Sequence, residues 1–340
     1  MKLYAGIDLH SNNSYVVILD ETDRVIYQKR LSNDANLILK VFEPYQEQIV
    51  GIVVESTYNW YWLVDQLMLK SYKVHLANVA GIQTYNGLKN TNDKTDAMWL
   101  AKLLRLGLLA EGHIYCKEKR GLRELLRRRL ILVRQQTMSV LGIQAMVTRY
   151  ENVKISAVKI KGCKKNPEEI LKYINDNNVK IAAKSQLKVL HCVVEQIELL
   201  ETNILKQIKD MTDFVALQKI PGIGIILAMT ILLETGDIKR FDQVGNYSSY
   251  CRCVESKRVS NGKKKGESNR KNGNVYLGWA FVEAANYAIR YYEPIKKYYQ
   301  RKLTKTKRVV AIKTIANKLS KVTYFILRDG VEFTMEKLFF

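Results

Sequence analysis

The chain has 340 residues, and 47% of them are hydrophobic, which is enough for a packed core and argues against a disordered chain. Its 55 Lys and Arg residues outnumber its 33 Asp and Glu residues and give a formal net charge of +22. This charge predicts a polyanionic partner, either nucleic acid or an acidic membrane surface. The five cysteines lack zinc-site spacing, and no signal peptide or membrane span is predicted. We therefore expect a reduced, cytoplasmic protein that contacts no membrane.

The first hundred residues predict strands and helices in alternation. Apolar runs and apolar–polar alternation indicate three consecutive strands and then two more. Turn and cap residues open three helices between and after the later strands. The predicted strands span residues 3–7, 15–19, 24–31, 49–54 and 74–76, and the predicted helices span 33–42, 59–71 and 92–106. The resulting order, β-β-β-α-β-α-β-α, is that of the ribonuclease-H-like fold.

Four acidic residues of this region end its strands or begin its last helix. Asp8 ends the first strand and Glu55 ends the fourth, whereas Asp93 and Asp96 share one face at the helix start. Acids at the ends of neighbouring strands can converge, and they repel each other unless a cation lies between them. Their oxygens suit Mg²⁺ or Mn²⁺, and two such ions promote phosphodiester chemistry. Because each acid alone would also fit a turn, an exposed position or a helix cap, the predicted metal site rests on the set.

Two long helices are predicted in the middle of the chain. Residues 117–150 carry an apolar stripe at helical spacing, and residues 185–211 carry a pattern close to a heptad repeat. These helices predict an antiparallel coiled-coil arm that supports dimerisation, with an ordinary helical hairpin as the alternative. The predicted domains span residues 1–112, 113–212 and 213–340. Contact with nucleic acid is favoured over a solvated charged face by three consecutive arginines, Arg127, Arg128 and Arg129.

A turn with two glycines lies near the start of the last domain, which is predicted to be mostly helical. The sequence Ile220-Pro221-Gly222-Ile223-Gly224 precedes an apolar helix over 225–234 and resembles a helix-hairpin-helix turn. Its two glycines would let backbone N–H groups approach a DNA phosphate at the helix N-terminus. The alternative is a packed helical hairpin without DNA contact.

A basic, glycine-rich segment over residues 256–274 is predicted to be a mobile loop that contacts a phosphate backbone. A serine hydroxyl among lysines at a scissile phosphate can act as a nucleophile. The cations of this segment that are predicted to bind nucleic acid are Lys263, Lys264, Lys265, Arg270 and Lys271.

These blocks together resemble the DEDD-type insertion-sequence transposases, a family that includes the Piv-like DNA invertases and the bridge-RNA-guided recombinases. The N-terminal likeness rests on Gly6-Ile7-Asp8-Leu9-His10, on Glu55 and on Asn92-Asp93-Lys94-Thr95-Asp96-Ala97. The C-terminal likeness rests on the 220–224 turn, on Gly236-Asp237-Ile238-Lys239-Arg240-Phe241 and on residues 266–277. The resemblance covers nearly the whole chain.

The resemblance implies a RuvC-like N-terminal domain and a catalytic serine in the C-terminal domain. That serine would attack DNA, form a 5′-phosphoserine link and work with the acids of a partner subunit. The serine before the Gly-Lys sequence is Ser260, but Asn261 stands where the family usually has glycine, so Ser256 is the second candidate. The implied partners are DNA, a guide RNA encoded by the same element and further copies of the chain. The implied Mg²⁺ ligands are Asp8, Glu55, Asp93 and Asp96.

Three other functions compete with this interpretation. A nuclease like a Holliday-junction resolvase would use the four acids and water but would leave the serine segment without a role. An actin-like or sugar-kinase ATPase also begins with Gly-Ile-Asp, yet the chain lacks the second glycine-rich phosphate loop of that class. A non-catalytic nucleic-acid-binding accessory protein would not need all four acids. We therefore predict a transposase or site-specific recombinase that cuts and rejoins DNA.

Overall fold

The computed structural model describes residues 1–79, 81–82, 92–163, 166–256, 258–266 and 272–339. The chain divides into two compact units. The first comprises Met1–Lys117 and Ser256–Asn272, and the second comprises Glu118–Glu255 and Gly273–Phe340. The three domains predicted from the sequence stay a prediction.

The first unit contains a six-stranded sheet with the strand order β3-β2-β1-β4-β5-β6. The central strand β1 pairs antiparallel with β2 and parallel with β4. The strands are β1 (Leu3–Leu9), β2 (Asn13–Leu19), β3 (Val25–Ser32), β4 (Ile49–Glu55), β5 (Val74–Ala77) and β6 (Glu111–Gly112). The helices are α1 (Ala35–Phe42), α2 (Tyr61–Leu69) and α3 (Asp93–Arg105). The predicted order of elements is therefore found among the described residues, with the short strand β6 in addition.

Helices cover both faces of this sheet. On one face, side chains of α1 and α2 such as Phe42 and Leu63 join the core formed by Ile7 and its neighbours. On the other face, Ala97 and Ala101 of α3 pack against Val17 of β2. The strands β1 and β4 are buried on both faces, so their sequences are nearly continuous apolar runs. Such runs are typical of strands that helices cover on both sides.

The second unit begins with two long helices that run antiparallel. They are α4 (Lys117–Glu151) and α7 (Asn177–Ile208). Arg129 of α4 lies beside Glu201 of α7, and Gly142 lies beside Gln186, so the residue numbers rise in opposite directions along the pair. The helix predicted to begin at residue 185 begins eight residues earlier, because Asp176 caps it by accepting hydrogen bonds from two backbone N–H groups. A coiled-coil arm stays a prediction.

Helix α4 is long and apolar enough to cross a membrane by length and composition alone. A core helix meets the same test, and α4 buries seven of its residues inside the protein. Two short helices, α5 (Ala157–Gly162) and α6 (Glu168–Leu171), lie between the long ones and share a small core with them.

The rest of the second unit is helical, and its core is formed mainly by α9 (Ile225–Thr235), α11 (Val275–Tyr291) and α13 (Arg308–Asp329). The largest fully buried side chains in this core are Tyr247, Phe281 and Tyr324. Helix α9 buries eight of its eleven residues, and a helix that is mostly buried shows no amphipathic stripe. The helices are α8 (Thr212–Gln218), α9 (Ile225–Thr235), α10 (Val244–Tyr250), α11 (Val275–Tyr291), α12 (Glu293–Leu303), α13 (Arg308–Asp329) and α14 (Met335–Phe339).

The segment predicted to be a mobile loop contains a β-hairpin instead. Its strands are β7 (Arg258–Ser260) and β8 (Lys263–Gly266), and they pair antiparallel. Asn261 and Gly262 join them with positive φ angles of 50° and 70°. Asn-Gly is a strong signal for a two-residue hairpin turn, since both residues tolerate positive φ. That signal was present in the sequence and explains the difference.

Candidate metal centre and nucleic-acid contacts

Two of the predicted acids lie on neighbouring parallel strands. Asp8 is the sixth residue of β1, and Glu55 is the last residue of β4. The strands pair with Ile7 opposite Val54, so the next residue of each strand is one of the two acids. Because alternate residues of a strand share one face, the paired register places both carboxyl groups on the same face of the sheet. The Asp8 side chain is 4% exposed and forms a hydrogen bond with Glu55.

The other two acids lie in the first turn of α3, and two local features position that helix. Asn92 caps it through a reciprocal pair of hydrogen bonds with Thr95. Gly6 of β1 lies so close to α3 that a Cβ atom built on it would be 2.0 Å from the Ala97 carbonyl oxygen. The absence of a side chain at Gly6 therefore brings the start of α3 close to the strand that carries Asp8.

The pKa shifts of two of these acids reflect both their burial and the charges of the other acids nearby. Burial, followed by the hydrogen bond and charge of Asp8, raises the pKa of Glu55 to about 8, and the charge of Asp96 adds to the shift. Burial also raises the pKa of Asp96, with further contributions from Asp8 and Asp93. Carboxylates share a site in this way only when protons or cations neutralise part of their charge. The structure thus brings the four predicted acids into one cluster.

A histidine and an arginine complete the surroundings of this cluster. His10 Nε2 lies 3.2 Å from Asp8 Oδ2 and 3.4 Å from Asp93 Oδ1. The Asn59 amide donates a hydrogen bond to the His10 carbonyl oxygen, which fixes the backbone there. Arg30 pairs with the second oxygen of Asp93 at 2.6 Å. His10 was not among the predicted metal ligands, although its spacing of two residues from Asp8 is the signal that could have found it.

The donor set suits a divalent metal ion. One ligand atom each from Asp8, His10 and Asp93 lies within 4.8 Å of the others. Glu55 and Asp96 add carboxylate oxygens in the same cluster. Oxygen-rich sites with several carboxylates are those that Mg²⁺ and Mn²⁺ occupy in proteins. A cation here would offset both the burial of these carboxylates and their mutual repulsion, which together raise the pKa of Glu55 and of Asp96.

The two candidate nucleophiles lie at the hairpin. Ser260 is the last residue of β7, and its side chain is exposed. Ser256 precedes the hairpin, and its hydroxyl oxygen is buried without a hydrogen-bond partner among the described residues. An exposed hydroxyl is free to meet a substrate, whereas the hydroxyl of Ser256 is covered by its own protein.

The three consecutive arginines of α4 have different surroundings. Arg127 forms two hydrogen bonds to the fully buried carboxylate of Glu234, at 2.7 and 2.8 Å. Arg129 pairs with Glu201 and is 12% exposed. Arg128 is 60% exposed, and its ion-pair partner among the described residues is the exposed carboxylate of Glu124. Their contact with nucleic acid stays a prediction, and Arg128 is the most accessible of the three.

The two glycines of the turn before α9 differ in what surrounds them. Gly222 has a φ angle of +82°, and a Cβ atom there would be 2.1 Å from the Ala284 carbonyl oxygen of α11. Gly222 thus permits close packing of two segments. Gly224 is the N-cap of α9, is exposed and has open space where a Cβ atom would lie. Its backbone is therefore accessible to a ligand, as the predicted phosphate contact requires.

The predicted basic contacts of the hairpin are described in part. Lys263 and Lys265 are exposed residues of β8. The backbone of Lys264 belongs to the same strand. Arg270 and Lys271 lie outside the described residues.

Comparisons with known proteins agree with this organisation. A DEDD transposase family model of the IS110 type matches residues 5–151, which include the acidic cluster. A second model, the transposase IS116/IS110/IS902 family, matches residues 215–300. The transposase for insertion sequence element IS1111A from Coxiella burnetii (strain RSA 493 / Nine Mile phase I) is 22% identical over 293 residues, which cover 84% of this chain and 78% of that protein.

The class of protein defined by these matches is an insertion-sequence transposase. Within that class, the chain belongs to the IS110 family, because the two models of that family match successive parts of it. A transposase acts on DNA, so the partner that the net charge of +22 predicts is DNA.

Proposed function

We propose that this transposase cuts and rejoins DNA by metal-assisted attack of a serine on a phosphodiester. The observation that carries the proposal is the buried cluster of carboxylates around Asp8, in which burial, followed by the hydrogen bond and charge of Asp8, raises the pKa of Glu55 to about 8. Such a cluster suits divalent cations, which neutralise the charge and support phosphodiester chemistry. In this proposal the first unit acts as a RuvC-like domain. Mg²⁺ or Mn²⁺ would be held by Asp8, Glu55, Asp93 and Asp96.

The proposed step conserves the number of phosphodiester bonds. The hydroxyl oxygen of Ser260 attacks the scissile phosphorus, and a carboxylate of the acidic cluster accepts the hydroxyl proton. The bond from phosphorus to the 3′ oxygen breaks, and that oxygen leaves as a hydroxyl after it receives a proton. The product is a 5′-phosphoserine link, and attack by another 3′-hydroxyl reverses the step and rejoins DNA. Mg²⁺ or Mn²⁺ held by the acidic cluster would supply charge stabilisation for the phosphate under attack.

The exposed lysines of β8 support a serine mechanism. Lys263 is paired with Ser260 in the hairpin, so a cationic side chain is held one strand away from the hydroxyl. Positive charge beside the scissile phosphate stabilises negative charge that grows in the transition state. We assign the choice of DNA sites to a guide RNA encoded by the element. The active form would be a cytoplasmic homo-oligomer, in which the acids of one copy act with the serine of another. The long helices would form a coiled-coil arm. The glycine turn before α9 would contact DNA as a helix-hairpin-helix motif.

A suicide substrate tests the proposal. A nicked duplex that loses a short fragment after cleavage prevents religation and traps any covalent intermediate. With Mg²⁺ we expect an adduct that survives denaturant, and peptide mapping should place it on Ser260. Ser260→Ala and Asp8→Asn should each abolish the adduct, whereas Ser256→Ala should retain it.

The remaining outcomes separate the alternatives. An adduct that persists in Ser260→Ala and is lost in Ser256→Ala would identify Ser256 as the nucleophile of the same mechanism. Cleavage without any adduct would favour the resolvase-like nuclease, in which water attacks. Binding without cleavage on any substrate would favour an accessory protein. Full activity in excess chelator would contradict the role of the metal ion.

A further inference from the structure

One face of α11 carries a row of exposed aromatic side chains, which we call the aromatic row. Its members are Trp279, Tyr287 and Tyr291, spaced eight and four residues apart, and helical geometry places such residues on one face. Their exposed fractions are 39%, 48% and 67%. The rings of Tyr287 and Tyr291 are nearly parallel, with an interplanar angle of 11° and centroids 6.4 Å apart. The helix therefore keeps flat aromatic faces accessible to solvent.

The aromatic row lines a groove of about 820 Å³ together with the turn that precedes α9. Gly222 and Gly224 also line this groove, and the exposed ring of Tyr292 extends the row beyond the end of α11. The rings thus surround an open space rather than fill the core, which lies on the other face of α11 around Phe281. A groove of this size and composition accommodates planar, apolar groups.

A cationic cleft continues from this groove. Glu283 and Tyr287 line both the groove and a neighbouring hollow of about 740 Å³, whose other walls include Arg290, Lys296 and Arg308. Gln300 lines that hollow and a third one of about 570 Å³. The cations of the third hollow are Arg301, Lys302 and Lys305.

Most of these cations have no carboxylate partner among the residues that the structure describes. Within the described part of the chain, ion pairs to Asp or Glu are absent at Arg290, Arg301, Lys302, Lys305 and Arg308. Lys296 is the exception, since it lies 3.6 Å from Glu293. Lys318 lies in the same positive region: burial lowers its pKa, and the charges of Lys321 and Lys302 lower it further. A polyanion along this cleft would relieve that repulsion.

We propose that this face of the second unit binds a single-stranded segment of DNA, with bases stacked on the aromatic row and phosphates along the cationic cleft. Aromatic platforms beside a positive groove are the features that bind single strands without base pairing. A duplex keeps its base faces stacked inside, so it cannot use the exposed rings. The assignment to DNA rests on the proposed function, because cutting and exchanging strands leaves DNA segments unpaired.

Binding to an abasic oligonucleotide tests the stacking directly. We would measure the affinity of the full chain for a labelled oligodeoxynucleotide of mixed sequence and for an abasic strand of equal length. Both titrations contain chelator, so the proposed metal chemistry does not contribute. We expect the normal strand to bind about tenfold tighter than the abasic strand, since each stacked base contributes substantially.

Substitutions then assign the preference to the aromatic row. The double variant Tyr287→Ala/Tyr291→Ala should lose the tenfold preference, and Tyr287→Phe/Tyr291→Phe should keep it because the rings remain. Tyr150→Ala is the matched control, since Tyr150 is 56% exposed on α4. Thermal unfolding checks that each variant folds, and Tyr291→Ala alone replaces the double variant if that variant does not.

Three results would overturn the inference. Equal affinity of the wild-type chain for normal and abasic strands would exclude stacking. If the double alanine variant still prefers the normal strand, the bases stack at another place on the protein. Tighter binding of an RNA strand of the same sequence, with the same dependence on the tyrosines, would replace DNA by RNA as the ligand. Failure to trap the serine adduct would instead contradict the proposed chemistry and leave these binding measurements unaffected.

Discussion

Glu55 is the residue whose protonation links the acidic cluster to stability. Its pKa of about 8 in the folded chain lies well above its ordinary value of 4.5. A group with a raised folded pKa favours the folded state below the unfolded value, and this contribution is lost as the pH rises through the folded value. Between about pH 4.5 and pH 8, the folded protein without metal ions therefore holds a proton at Glu55 that the unfolded chain releases.

Replacement of Glu55 by glutamine should remove this dependence. In chelator, the melting temperatures of Glu55→Gln and the wild-type chain should be similar near pH 5. The variant should melt a few degrees higher near about pH 9, where the wild-type carboxyl is ionised among Asp8 and Asp96. Added Mg²⁺ should stabilise the wild-type chain more at the higher pH, because metal ions compete with protons for these oxygens. Parallel pH profiles for the two proteins would contradict the crowding.

The two glycines of the turn before α9 are expected to have different roles, Gly222 in helix packing and Gly224 in ligand contact. Gly222→Ala should destabilise the chain by about 3 kcal/mol, because the added carbon meets the Ala284 carbonyl oxygen and the φ angle is positive. Gly224→Ala should change stability by less than about 1 kcal/mol, since the space is open and the φ angle of −87° suits alanine. Urea denaturation measures both. Lower DNA affinity of Gly224→Ala at unchanged stability would support phosphate contact at this backbone.

Among elements, α4, α9 and α11 are joined by one buried carboxylate. Glu234 of α9 is fully buried and accepts hydrogen bonds from Arg127 of α4 and from Asn274, the residue that caps α11. Arg127 also lies over the ring of Tyr276, 4.8 Å from its centroid. These contacts fix the N-terminal half of α4 against the helical core.

Removal of the buried Glu234 carboxylate should lower the free energy of unfolding much more than removal of an exposed carboxylate. Glu234→Ala leaves the guanidinium of Arg127 without its partner, and we expect a loss of about 3 kcal/mol, the lower end for buried pairs, because Arg127 is 31% exposed. Glu124→Ala breaks the surface pair with Arg128 and should cost less than about 1 kcal/mol. Equal losses in chemical denaturation would show that the buried pair has no special role.

For the whole molecule, the net charge of +22 predicts DNA binding that weakens steeply with salt. Substitution of Lys263 and Lys265 by glutamine should reduce the slope of log affinity against log salt by about 0.9 for each lost phosphate contact on duplex DNA. Lys40→Gln on α1 is a matched control, because that lysine is also exposed in the first unit. An unchanged slope in the hairpin variant would exclude these lysines from phosphate contact.

The sequence by itself determined the order of elements in the first unit and the acids that belong together. Period-two and period-3.6 patterns depend on nearby residues, so β1, β4 and α3 could be predicted with their acids at or near the ends. The hairpin was missed although Asn261-Gly262 encodes it locally, and the start of α7 was misplaced because its cap at Asp176 lies beyond the periodic stretch.

Only the tertiary structure decided which charged side chains face each other. The three arginines of α4 are adjacent in sequence, yet Arg127 pairs with a buried carboxylate and Arg128 remains exposed, because helix rotation and the position of α9 set their surroundings. The closeness of His10 to Asp93 likewise depends on how α3 packs against β1 at Gly6. Burial and Coulomb interaction depend on the three-dimensional positions of the groups and not on their spacing in the sequence. The raised pKa of Glu55 therefore became apparent only from the fold.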